Sequence, residues 1–404
     1  MNLRADPSPS LRIALVSGGV PMGGATTFLV NFAGELIRRG VPVKVFSFEK
    51  ENPLSADFQK QNIDLLCLDQ KRRIFEDRLQ TIMRALSRFQ PTVVVATLGA
   101  VSFEVLRYLP GGVLRIGMGQ SDDPLVYAMM GHYAAWMDLV VMVSQAMKQR
   151  AEAMPEFGRV PVVCLPYGVP MCPAGEIPAR APDAPLRILY FGRLGREQKR
   201  VHLFPAILQQ LVDSRLPFQW TIAGEGEERG FLEANMKPTL PGQVVTFAGT
   251  VPYAQVPALL NQHDIYLLAS NYEGLPLSLL EAMGHGLVPV VSNLTSGIPE
   301  VVDQTNGLLV PVEQVAGYAQ AILHLHHHRD ELRLKSAAAR NRVEKNFSVA
   351  AMTDRWLATL PASGQAIVSW PDHWRVQAPR TATKGFYYSR PLRALRRIAA
   401  LVKK

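Results

Sequence analysis

The chain has 404 residues, 48% of them hydrophobic, which is enough for two domains with ordinary cores. Its formal net charge is +9, but the excess is concentrated beyond residue 374, so the body is near neutral and a general nucleic-acid binder is disfavoured. Three scattered cysteines, Cys67, Cys164 and Cys172, exclude a disulfide framework and a cysteine zinc site, and each reads as a buried small residue. No apolar run reaches bilayer length, and MNLRADPSPS at the N-terminus lacks the apolar core of a signal peptide. Together these features point to a reducing, cytoplasmic compartment.

In chain order, residues 11–17 (LRIALVS) read as a strand and 18–24 (GGVPMGG) as a glycine-rich loop. A helix over 25–39, closed by Gly40, leads to a strand over 41–48. Strand, glycine loop, helix and strand make a doubly wound, nucleotide-type unit. The spacing is not the dinucleotide G-x-G-x-x-G, and the acidic residue nearest the end of the second strand is Glu49. Glycines that merely make a tight turn would look the same. The alternation continues with strands 63–68, 92–97, 113–118, 138–144 and 162–165 and helices 73–89 and 101–108. The first of these helices carries Ile74, Leu79, Ile82, Met83, Leu86 and Phe89, a core-facing stripe. The loop 119–124 (GQSDDP) is polar and follows a strand, where α/β enzymes place their chemistry.

Residues 171–185 are proline-dense without apolar periodicity and read as a linker, with 1–170 before it as the first domain. The second domain opens with the strand 186–191 (LRILYF), which runs into GRLGREQKR. Arg193 just after the strand and Lys199 opening a helix suit two cations converging on a diphosphate, a fork and a point charge. Arg200 could share the work of Lys199, and a solvated basic turn would have the same composition. The stretch 221–226 (TIAGEG) ends a further strand with a glycine turn at Gly224.

The most informative stretch is 264–293, DIYLLASNYEGLPLSLLEAMGHGLVPVVSN. A buried-type strand is followed by a polar turn, a helix after Pro276 and a second strand. Glu273 and Glu281 lie eight residues apart, a little over two helical turns, so both can lean toward one cleft. Gly274 and Leu275 offer backbone N–H groups beside a helix start, where an anion is favoured. Acid, glycine, helix start and second acid suit a ligand with hydroxyls at each end and phosphates between, such as a nucleotide sugar. A surface Glu281 and a helix-capping Glu273 fit the spacing alone equally well.

With Glu-Ala-Met-Gly at 281–284 and Gly-Ile-Pro-Glu at 297–300, this stretch resembles the donor-site signature of glycosyltransferase family 4, the "group 1" retaining transferases of the GT-B fold. Gly-Arg-Leu with Lys199 resembles the same family's cation motif, and residues 143–144 and 166–170 (PYGVP) its interdomain connection. The resemblance spans about 11–360. It implies an α/β, GT-B chain: two Rossmann-like doubly wound domains facing each other across a cleft. The domains are 1–170 for the acceptor and 186–346 for the nucleotide-sugar donor, with a crossover helix over 347–360. It implies sugar transfer with retention from a nucleoside diphosphate sugar, a co-substrate rather than a cofactor.

Arg193 and Lys199 would then stabilise the leaving diphosphate. Glu281 would hold the ribose hydroxyls and Glu273 the donor-sugar hydroxyls. Gly23 and Gly24 would let the backbone approach the donor phosphate, Gly274 and Leu275 would line the same site, and Gly224 would lie near the base. Many relatives carry a histidine where this chain has residues 120–123. Asp122 or Asp123 would contact the sugar or acceptor in its place, or cap the helix at Pro124, and His132 reads as structural. With two protein cations at the phosphates and no Asp-x-Asp placed for them, no metal is expected. His324 and His328 have ligand spacing, but with His326 and His327 they read as a solvated helix face. A non-catalytic sugar-binding protein is the alternative from another class. A nucleotide-sugar epimerase or a phosphorylase is the alternative among enzymes.

Beyond residue 360 the resemblance ends. The tail 361–404 holds Arg375, Arg380, Lys384, Arg390, Arg393, Arg396, Arg397, Lys403 and Lys404 and no acidic residue after Arg375. Over 389–404, Leu392, Leu395, Ile398, Ala399 and Val402 recur at helical spacing, with cations mainly opposite. Such a basic amphipathic helix suits an anionic membrane surface and an acceptor that is a glycan or lipid-linked, as in surface-polysaccharide assembly. A disordered tail or a helix docked on the protein itself would carry the same pattern.

Overall fold

A computed structural model describes residues 11–20, 23–49, 55–68, 75–173, 175, 184–237, 241–312, 314–360, 369–371 and 374. Its strands form two sheets in which every pairing is parallel. The first has seven strands in the order β3-β2-β1-β4-β5-β6-β7. They are β1 (Ile13–Ser17), β2 (Val43–Ser47), β3 (Asp64–Cys67), β4 (Val93–Ala96), β5 (Leu114–Gly119), β6 (Leu139–Met142) and β7 (Val162–Cys164). The second has six in the order β10-β9-β8-β11-β12-β13. These are β8 (Leu186–Phe191), β9 (Phe218–Ala223), β10 (Gln243–Gly249), β11 (Ile265–Leu268), β12 (Val288–Asn293) and β13 (Leu308–Pro311). Central strands such as IALVS, VVVA and IYLL are apolar throughout and wholly buried, as parallel strands covered on both faces must be.

The first sheet is covered by α1 (Gly24–Arg38), α2 (Ser55–Lys60), α3 (Phe75–Phe89), α4 (Ala100–Leu106), α5 (Pro124–Tyr133) and α6 (Gln145–Glu152). The second is covered by α7 (Phe204–Asp213), α8 (Arg229–Asn235), α9 (Val256–Asn261), α10 (Leu277–Gly284), α11 (Ile298–Val301), α12 (Val315–His327) and α13 (Arg329–Asn346). In each sheet the strand order reverses beside the first strand, at β1/β4 and at β8/β11. Doubly wound sheets bind ligands in the crevice beyond the strand ends at that point. The fold is therefore the expected pair of Rossmann-like domains.

Two segments join the domains, and they bond to each other. Val169 donates its N–H to the Phe347 carbonyl (2.8 Å) and accepts from the Val349 N–H (3.1 Å). Gly168 is pressed there: a Cβ would stand 2.6 Å from the Ser348 carbonyl oxygen. After this hinge, α14 (Val349–Thr359) returns to the first domain, where Trp356 packs on Phe28 and Phe32 of α1 at ring separations of 6.3 and 5.0 Å. Arg39 adds an ion pair to Asp354 at 2.5 Å. On α3, Gln80 donates its side chain to the carbonyl of buried Trp374 (3.3 Å). A cavity of about 330 Å³ lies at the hinge, lined by Asn31, Glu35, Pro170, Met171 and Tyr253 among others.

Several expectations need correction. Cys67 and Cys164 are half-buried rather than buried; Cys172 alone is fully inside. The strand expected over 138–144 ends at Met142, and Ser144 instead caps α6 by accepting from the Met147 N–H (3.2 Å). The histidine-bearing helix α12 ends at His327; exposed His324 pairs with Glu331 at 2.7 Å and stacks on His328. The tail helix proposed over 389–404, most of the linker and most of 361–388 lie outside the described residues. Among the described residues no helix is long and apolar enough to cross a membrane.

Candidate functional site

The expected cations and carboxylates meet where the second sheet reverses. β8 delivers Arg193 and β11 delivers the loop 270–276 from adjacent strands. The Arg193 loop is held from below. Tyr190, packed against Phe204 at 5.0 Å, donates its hydroxyl to the Arg193 carbonyl (2.5 Å). Leu194 donates its N–H to the Glu225 carbonyl (2.8 Å). Gly224, at φ +136°, lies so close to the Gly192 carbonyl that a Cβ would be 1.8 Å from its oxygen. Arg193 itself is exposed and donates to the Gln198 side chain (2.9 Å).

Lys199 reaches Glu273 at 2.5 Å, with their side chains 14% and 6% exposed. Ser270 donates to the same Glu273 oxygen, Oε1, at 2.6 Å. Among the described residues both bonds fall on Oε1, and Oε2 of Glu273 has no hydrogen-bond partner. A buried pair of this kind contributes little net stability, but it fixes the geometry of both groups. Gln198 ties the two loops together by accepting the Asn271 N–H on its carbonyl (2.7 Å) and donating its side chain to the Tyr272 carbonyl (3.4 Å).

Glu281 lies on α10, and its carboxylate has no hydrogen-bond or ion-pair partner among the described residues. Burial alone pushes its carboxyl up to about 8. A buried acid without a partner is costly and is where a polar ligand would be welcome. The surrounding tyrosines, Tyr190 and Tyr266, are pushed up by burial and stay neutral donors.

The first domain closes the opposite wall. A Cβ on Gly24 would stand 3.3 Å from Cβ of Leu277, so the start of α1 faces the start of α10. Gly23, at φ +140°, has open space where its Cβ would be. A Cβ on Gly274 would stand 2.9 Å from the Gln120 carbonyl oxygen and from Sδ of Met147. Among the described residues the Gly274 and Leu275 amides have no backbone partner. The arrangement offers cations, free amides and an unpartnered buried acid along one crevice.

Comparison with known proteins agrees with this geometry. The family model described as "Glycosyl transferases group 1" matches residues 185–328, and that described as "Glycosyltransferase Family 4" matches residues 22–171. The chain belongs to the family 4, group 1 glycosyltransferases. One relative is the putative colanic acid biosynthesis glycosyltransferase WcaL of Escherichia coli, 32% identical over 52% of this chain and 53% of that protein. Another is the amylovoran biosynthesis glycosyltransferase AmsK of Erwinia amylovora, 33% identical over 41% of this chain and 42% of that one. The matches thus span about half the length of these curated relatives or less. Among solved structures, S. aureus TarM in complex with UDP superposes with a TM-score of 0.70 at 13% identity, covering 87% of this chain and 99% of that one. HepE of Anabaena in complex with UDP-glucose gives 0.68 at 15%, covering 87% and 100%. These likenesses show the GT-B fold.

Other expected residues sit differently. Lys199 does not open a helix; it lies in a turn, followed by left-handed Arg200 (φ 52°) and a short 3-10 turn before α7. Arg200 cannot share its work, because its guanidinium bonds the Val312 carbonyl beyond β13 (2.9 Å). Asp123 caps α5 by accepting from the Leu125 N–H (2.9 Å). Asp122 is buried and accepts on one oxygen from the Tyr127 hydroxyl and from Arg150, both at 2.6 Å. Each aspartate thus has one oxygen, Oδ1, tied into the loop. Gly224 packs on the Gly192 carbonyl. His132 is exposed, edge-on to Tyr133. The sequence does not reveal the roles of Ser270, Gln198 and Tyr190: Tyr190 and Ser270 lie at strand ends and Gln198 in the turn before Lys199, but nothing in their spacing names a partner.

Proposed function

We propose that this chain transfers a sugar from a nucleoside diphosphate sugar to a glycan or lipid-linked acceptor in the assembly of a cell-surface polysaccharide, with retention at the anomeric carbon. The observation that carries the reading is the Lys199–Glu273–Ser270 cluster at the switch point, with unpartnered Glu281 beside it. The names of the polysaccharide-assembling relatives support the pathway class.

Negative charge builds on the diphosphate as the sugar leaves. Lys199, preorganised by Glu273, and Arg193, on its clamped loop, stabilise that charge without reorganising. Glu273 turns its other oxygen to the donor-sugar hydroxyls, and Glu281 takes the ribose hydroxyls. A front-face route, in which the leaving phosphate takes the acceptor proton, needs no protein base. The reaction requires no metal ion in this account. The basic stretch 389–404 brings the enzyme to an anionic membrane surface where a lipid-linked acceptor resides; equal sedimentation with anionic and neutral vesicles at low salt would remove that part.

The test is turnover with UDP-, GDP- and ADP-sugars in the presence of EDTA, with the product anomer read by NMR. Transfer from one donor, unaffected by EDTA and with unchanged anomeric configuration, is expected. Inversion, or activity abolished by EDTA and restored by magnesium or manganese, would overturn the mechanism; binding without turnover would favour a sugar-binding protein.

A further inference from the structure

Glu300 makes a contact that the donor site does not explain. It belongs to α11 of the second domain. Its two carboxylate oxygens accept from two consecutive backbone N–H groups at the start of α6 in the first domain. These are Gln145 (2.9 Å) and Ala146 (2.9 Å). The free N–H groups and dipole at a helix start favour a carboxylate there. α6 already has its own cap in Ser144. The helix therefore does not need Glu300 to form, and the contact is chiefly one between domains.

The same few residues hold the donor loop. Gly297 donates its N–H to the Gly274 carbonyl (2.8 Å), and a Cβ on Gly297 would stand 3.0 Å from Cβ of Ser144. Ile298 donates its N–H to the Ser296 hydroxyl (3.2 Å), which fixes the start of α11. Gly274 in turn rests on Gln120, Val143 and Met147 of the first domain. Residues 273–275, 296–300 and the start of α6 thus form one interlocked unit. Parting the domains breaks the Glu300 bonds and lifts Gly274 from its seat in the same movement.

We propose that Glu300 is a positioning residue that latches the two domains and seats the donor loop at 273–275 against the first domain. The role in turnover rests on the transferase reading above; the latch itself does not. Closure brings Gly23 and Gly24 to the donor loop, so loss of the latch lowers the fraction of enzyme with a complete site.

Two variants probe opposite sides of the contact. Glu300→Gln removes the charge. Gln145→Pro removes one donor at the first helical position, where proline is tolerated, and Ser144 already has the extended conformation (φ −145°, ψ 158°) that a residue before proline prefers. Small-angle scattering of the full chain, with and without UDP, is compared with kcat, donor KM and melting temperature. The expected result is a larger radius of gyration in both variants. With it should come a roughly tenfold fall in kcat, the scale set by a few charge-assisted hydrogen bonds. Melting temperature should change little. An unchanged radius of gyration in both variants, whatever happens to turnover, overturns the latch; a lowered melting temperature alone would mean that Glu300 only caps a helix. If the wild-type protein neither binds UDP nor turns over any nucleotide sugar, the transferase reading fails, and the ligand-free scattering still decides the latch.

Discussion

At the residue scale the most consequential group is Glu281. Folded, its carboxyl stays protonated up to about 8; unfolded, it titrates near the ordinary 4.5. Between those values the native state holds a proton that the unfolded state has released. Its contribution to stability is therefore fully present below about 4.5 and is lost as pH rises through 8. Glu281→Gln removes this dependence. Relative to wild type the variant should gain stability between pH 5 and pH 8.5, on the order of a few kcal/mol, measured by melting temperature at the two pH values. Parallel pH dependence in both proteins would show that the site is wetter than its burial implies. Glu273 and Glu281 were legible in the sequence through the Glu-Ala-Met-Gly at 281–284 and Gly-Ile-Pro-Glu at 297–300 that accompany them, since their spacing alone left a surface and a capping role open. The partners of Asp122 were not: Arg150 lies 28 residues away, and nothing local announces that pairing.

At the scale of elements, the clearest device is the glycine contact beneath Arg193. Gly224 combines a positive φ with a carbonyl in the space a side chain would fill. Gly224→Ala should cost more than about 1 kcal/mol and shift the loop that carries Arg193. The expected readouts are a lower melting temperature and weaker donor binding; wild-type values for both would contradict the packing argument. The strands were readable because buried parallel strands are continuous apolar runs. The start of α7 was not, since a left-handed Arg200 and a 3-10 turn intervene between Lys199 and Phe204, and local propensity does not specify such a detour. The short helices α2 and α6 were also missed, being too brief for a clear apolar period.

At the scale of the whole molecule, two apolar-stranded halves and a crossover helix followed from the sequence, and α14 packs on α1 as the resemblance implies. The way the halves lock together did not. Glu300 lies 155 residues from Gln145, and its contact arises only when two separately folded sheets meet. The central claim is that these halves together stabilise a departing diphosphate, chiefly through Lys199. In Lys199→Ala, Glu273 keeps its bond from Ser270, which limits the structural damage. The single-turnover rate of this variant with the accepted donor is the decisive measurement. A fall of at least ~100-fold with near-wild-type melting is predicted, whereas a rate near that of wild type would contradict the account.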